Sequence, residues 1–92
     1  MPFILREPMN IGIYICDQAE VLDFSGPFEV LSVANRLGNL AWNVGLVEEE
    51  ERSVEARGAF HVMPHYSIQN VPDLDVLIVV VGAQSAELGR KQ

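Results

Sequence analysis

The chain has 92 residues, 49% of them hydrophobic and 21% charged, with a formal net charge of −7 and one cysteine. That is the composition of one small globular domain, which at this size buries roughly 60% of its unfolded surface and has little stability to spare. The negative charge repels phosphate backbones and anionic lipid, no apolar run reaches the roughly 18 residues of a spanning helix, and MPFILREPMN has too short an apolar core for a signal peptide. Nucleic acid and membrane are therefore excluded as partners of this segment, and a cytoplasmic location is expected. A single cysteine excludes an internal disulfide and any multi-cysteine metal motif.

The first element is a strand. Ile11, Ile13 and Ile15 alternate with Gly12, Tyr14 and Cys16, so both faces are largely apolar, as in a central parallel strand covered on two sides. Residues 17–22 form an acidic turn, and Gly26-Pro27 supplies a helix start with Ser25 or Gly26 as cap, because a proline in the first turn gives up an N–H that has no partner there. Phe28, Leu31, Ala34 and Leu37 recur at spacings of three, with Val30 beside them, and Gly38 ends the amphipathic helix. Trp42, Val44, Leu46 and Val47 predict a second strand, followed by the run Glu48 to Glu51 and Arg52, which reads as a solvated charged turn.

Residues 53–56 and 59–63 predict a short hairpin around Arg57-Gly58, with Gly58 free to take a positive φ and Pro64 ending it. Residues 66–72 read as a loop. LDVLIVVV, residues 74–81, is apolar almost throughout and rich in β-branched side chains, and is expected at the sheet centre. Gly82-Ala83 makes a turn, and residues 85–92 begin a helix. Together these elements describe an α/β fold: a partial doubly wound, mostly parallel sheet of flavodoxin-like type, stopping after the third main strand. With one full-length helix to cover it, the sheet keeps an apolar face for a partner chain or for further sequence.

Asp23 follows the first strand at the start of the helix. It reads either as a helix cap or as an acid that shares a proton with a nucleophile brought by another strand. Asp17 and Glu20 read as solvated turn residues. Cys16 reads as structural, since a neighbouring carboxylate raises rather than lowers a thiol pKa. His61 and His65 are four apart, but Pro64 between them points to strand and loop rather than to one face of a helix, and no other ligand cluster supports a metal. No metal or cofactor is expected. Gly82-Ala83 offers backbone N–H groups toward an oxyanion, although glycine in a strand-to-helix turn is commonplace. There is no GxxxxGK[ST] loop and no GxGxxG after the first strand, and LDVLIVVVG ends without the aspartate of a phospho-receiver.

The segments NIGIYICDQAEVLDFSGPFEVLSVANR and SVEARGAFHVMPHYSIQNVPDLDVLIVVVGA together resemble the amino-terminal half of the ThiJ/PfpI superfamily, the class I glutamine-amidotransferase-like fold, from Met9 to about Ala83. Within it the chain is most similar to isonitrile-hydratase-like and amidase-like members and to the sensor domains of certain transcriptional regulators. The resemblance implies that residues 1–92 are the amino-terminal part of a single domain about twice as long, which takes a small-molecule ligand and forms a homodimer. It implies that Asp23 is the acid partner of a cysteine at a nucleophile elbow beyond Gln92, with Cys16 in the wrong place to replace it. It also puts Gly82 and Ala83 where the family has Pro-Gly-Gly and an oxyanion-binding N–H, with Val81 and Ala83 replacing the proline and second glycine. The expected function is a cysteine-dependent hydratase or amidase-like enzyme of which this segment alone is inactive. The alternatives are a noncatalytic ligand-sensing domain of a regulator and a nonfunctional gene remnant.

Overall fold

A computed structural model of the chain describes residues 8–80. The elements are β1 (Met9–Tyr14), α1 (Val21–Gly38), β2 (Trp42–Glu48), β3 (Val54–Ala56), β4 (Phe60–Val62), β5 (Tyr66–Ser67) and β6 (Val76–Val79). Four strands form one parallel sheet in the order β5-β2-β1-β6, while β3 and β4 make a separate antiparallel hairpin. The α/β, flavodoxin-like reading is therefore correct. In β1, Ile13 pairs with Leu46 on one side and Ile78 on the other, which makes it a central strand as its double-sided apolar pattern predicts.

One face of the sheet carries the core. Ile13 and Ile15 are fully buried together with Val54 of the hairpin, and they pack with Ala19, Phe24, Leu46, Ala56 and Val80. Helix α1 meets that face through Phe24, with Val21 and Phe28 packed alongside. On the other face Gly12 and Gly45 are direct partners across β1 and β2. Leu74 lies so close to the first that a β-carbon there would sit 2.8 Å from its Cδ1, and the Tyr66 ring lies 2.9 Å from a β-carbon at the second. Both glycines thus sit where a side chain would crowd a neighbour, Gly45 more strictly because the Tyr66 ring is rigid whereas the Leu74 methyl at Gly12 can shift.

The helix begins earlier than its sequence suggests. It opens at Val21 with Glu20 in the cap position, so neither Ser25 nor Gly26 caps it, and Pro27 lies inside it. An internal proline removes the N–H that would have bonded to the carbonyl of Asp23. The early start is favoured because it brings Phe24 into the core at 4% exposure, a gain of about 1.5–3 kcal/mol for a side chain of that size. The helical stripe is shifted accordingly. Phe24 and Phe28 face the sheet, while Val30 and Leu37, which the spacing placed on the packed face, are 67% and 85% exposed. Gly38 ends the helix as expected, with Asn39 in the left-handed region at φ 53°. The Asn35 side chain then ties the helix end to β2, donating to the Trp42 carbonyl at 2.8 Å and accepting from its N–H at 3.0 Å.

The hairpin forms where predicted, with Gly58 at φ 74° in its turn. The 66–72 segment is not wholly loop: Tyr66 and Ser67 add a short parallel strand to β2. Strand β6 is another correction, because it lies at the edge of the sheet among the described residues rather than at its centre. Val76, Leu77 and Val79 are 40%, 54% and 59% exposed. An apolar β-branched run specifies a strand that wants cover on both sides, but not which neighbours supply it.

Candidate active site at the carboxyl ends of the strands

In an all-parallel sheet every strand ends on the same side, so Tyr14, Glu48, Ser67 and Val79 mark one rim. The chain runs from β1 outward to β2 and later returns to pair β6 on the opposite edge of β1. That reversal makes the carboxyl end of β1 a topological switch point, where open α/β sheets leave a crevice. The turn leading from β1 into α1 stands over it.

The hairpin holds this turn in place. Gln18, at φ 68°, donates its N–H to the Glu55 carbonyl at 2.8 Å, and the Arg57 N–H donates to the Ala19 carbonyl at 3.0 Å. Asp17 Oδ1 accepts from the Glu55 N–H at 3.1 Å, and the Arg52 guanidinium reaches both Asp17 oxygens at 3.4 and 3.3 Å. Arg57 pairs with Glu20 at 3.5 Å. Asp17 and Glu20 are therefore engaged rather than simply solvated. The Arg52 hydrogen bond, reinforced by the Glu55 N–H and against a smaller opposing effect of burial, holds the Asp17 carboxyl below its ordinary value of 3.8.

A carboxyl lowered in the folded state contributes stability that is present above its unfolded value and is lost as pH falls through the folded one. Asp17→Asn is accordingly expected to lower the melting temperature slightly near neutrality and to converge on the parent below pH 3.8. The effect is small because solvent screens the pair. Melts from neutral to acid pH that stay parallel for the two proteins would contradict it.

Asp23 is the third residue of α1 and is exposed. It does not cap the helix, which has no side-chain cap bond, and its own N–H donates to the Glu20 carbonyl at 3.0 Å. The helix dipole favours a carboxylate here, and the side chain is exposed to solvent. Cys16, half-buried, lies in the loop just after β1. Gly82 and Ala83 lie outside the described residues.

Sequence reasoning missed Glu48. Taken as the first residue of a solvated glutamate run, it is the last residue of β2 and is buried, held by Arg52 Nε at 3.4 Å and by the Glu50 N–H at 3.2 Å. The available signal was its place two residues after Leu46 in an alternating strand. Tyr14, nearby at the end of β1, has its phenol pushed up by burial first and then by Glu49, Glu48 and Cys16. His65 is exposed and lies in the segment between β4 and β5, as its neighbour Pro64 suggests, yet it is engaged: its Nδ1 accepts the Leu46 N–H at 2.9 Å, and its ring stacks on Phe28 with centroids 5.7 Å apart. No group of metal-ligating side chains exists among the described residues. None of their helices is long and apolar enough to cross a membrane.

At the level of sequence, no family model and no curated protein matches the chain. Solved structures do. A ThiJ/PfpI family protein from Pseudomonas syringae superposes with a TM-score of 0.70 at 18% identity, covering 96% of this chain and 35% of that one. The chain has the ThiJ/PfpI fold. A DJ-1 superfamily protein from Agrobacterium tumefaciens gives 0.61 at 20% identity, over 88% of this chain and 41% of that one. An AraC family transcriptional regulator from Pseudomonas putida gives 0.71 at 19%, over 91% and 56%. The chain thus spans between 35% and 56% of the length of these structures. Its Met9–Tyr14 strand, first helix and rim correspond to a part of the ThiJ/PfpI fold.

Proposed function

We propose that this chain is the amino-terminal part of a ThiJ/PfpI domain acting on a small molecule, with Asp23 as the acid of a cysteine-dependent hydratase or amidase-like site. The observation that supports it is the placement of Asp23: an exposed carboxylate in the first turn of α1, directly after the central strand, at the sheet's switch point. In this reading the nucleophile comes from outside the described residues. Asp23 accepts the thiol proton as sulfur bonds to an electrophilic carbon of a nitrile or amide. It then returns that proton to the substrate nitrogen, and water afterwards displaces the sulfur from carbon and regenerates the thiol. Backbone donors at Gly82 and Ala83, a homodimer and a cytoplasmic location belong to the same proposal.

In the protein that contains both halves, Asp23→Asn is expected to reduce turnover by about 10²–10⁴-fold, the usual worth of a positioned proton carrier. The 92-residue chain by itself is expected to be inactive, since an acid without its nucleophile forms no covalent intermediate. Undiminished turnover by Asp23→Asn, or thiol-dependent turnover by the 92-residue chain that Cys16→Ser abolishes, overturns the reading. A second reading, a noncatalytic ligand-sensing domain of a regulator, is supported by the shared fold with the Pseudomonas putida regulator and with a putative transcriptional regulator from Vibrio parahaemolyticus, TM-score 0.74 at 16% identity. It is favoured if a small molecule binds equally to the parent and to Asp23→Asn with no turnover in either.

A further inference from the structure

We propose that the stretch from Arg52 to Arg57 is a clamp that fixes the first turn of α1, with Arg52 as its positioning residue. A four-residue acidic loop and a three-residue strand have little core of their own. Yet the loop between β1 and α1 is bonded to Glu55 of β3 and to Arg57 just after it: Glu55 N–H to Asp17, Gln18 N–H to Glu55, and Arg57 N–H to Ala19. These bonds give the turn the edge pairing that the main sheet does not provide, and they lower Ala19, Val54 and Ala56 to full burial.

Arg52 joins the parts. One guanidinium spans both Asp17 oxygens while its Nε reaches Glu48 at the end of β2, and its Nη1 donates to the Ser53 carbonyl at 3.3 Å. The planar fork of arginine suits this three-way contact, which a lysine point charge reproduces only in part. Glu48 is the fixed end, because it is the last residue of a central strand and its side chain is 4% exposed. The strand end thereby holds Arg52, Arg52 holds Asp17, and Asp17 with Glu55 sets where α1 begins. Inside the helix Pro27 supplies no N–H to the Asp23 carbonyl, so the first turn depends on this outer support. Other charges around the clamp are Glu20 paired with Arg57, Glu50 acting on Arg52, and Glu49 with Cys16 near Tyr14.

That the clamp serves Asp23 rests on the proposed function; that it holds the turn does not. Hydrogen exchange in the full chain separates the two, because it reads no activity. Arg52→Ala is expected to speed exchange of the peptide covering residues 17–23 and of the Glu55 and Arg57 amides roughly tenfold, with the amides of β1 and β2 unchanged. Arg52→Lys should restore part of the protection. Asp17→Asn, nearly isosteric and safe for folding, should give the same pattern and add little to Arg52→Ala in the double variant. The Glu55 amide shift should titrate with Asp17 in the parent and lose that titration in Asp17→Asn. Unchanged exchange in the turn, or a uniform rise across β1 and β2 as well, overturns the clamp. Loss of turnover by Asp23→Asn with an unaffected turn in Arg52→Ala overturns it while leaving the proposed function standing.

Discussion

Ile13→Ala is expected to bring the chain to the edge of unfolding. Ile13 is fully buried, pairs with Leu46 and Ile78, and belongs to the cluster that receives Phe24 from the helix. Truncating such a side chain removes its transfer free energy and leaves a cavity between sheet and helix, costing about 2–5 kcal/mol. A chain of this length starts with about 5–15 kcal/mol at most, and each kcal/mol is worth about 4–8 °C in melting temperature at this size. A fall of about 8–40 °C follows. Leu22→Ala is the control, since Leu22 lies on the same fold but is 77% exposed and its loss should fall within about 0.5 kcal/mol of neutral. Equal melting temperatures for the two variants would show that the sheet-to-helix layer does not hold the fold.

The second large effect is expected at β6. Its outer edge offers unpaired N–H and C=O groups among the described residues, and Leu77 and Val79, on the face away from α1, are more than half exposed. An apolar edge of this kind pairs with other chains. The 92-residue protein is therefore expected to sediment as associated species at micromolar concentration. Leu77→Lys combined with Val79→Lys should shift it to monomer, because two like charges on one strand face oppose edge-to-edge pairing. A parent chain that is already a monodisperse monomer with a cooperative melt contradicts this expectation.

Elements whose structure is written in local pattern were legible in the sequence. The two-sided apolar alternation of β1, the glycine turn of the hairpin at Gly58 and the helix end at Gly38 all depend on residues within a few positions of one another. The start of α1 was not legible, because it is decided by what Phe24 meets in the core and by hairpin bonds from Glu55 and Arg57, residues far along the chain. The same holds for Glu48, whose burial depends on Arg52 folding back over the strand end. The central-strand pattern of residues 74–81 was read correctly as apolar, while its place at the edge depends on which strands are present to pair with it. For the candidate site, the position of Asp23 after the first strand was evident from sequence. Its exposure and its support through Asp17 were not, since neither leaves a periodic trace.

The order of strands in the sheet also governs how this chain can be assembled in time. The central strand is the first to be synthesised, but Met9 waits for Trp42 and Ile11 for Val76. One edge of β1 therefore stays unsatisfied until β2 is made and the other until β6 is made, and no local hairpin can nucleate the sheet. Folding of this sheet should be slow for its size, with the Ile-rich segment exposed to chaperones in the interval.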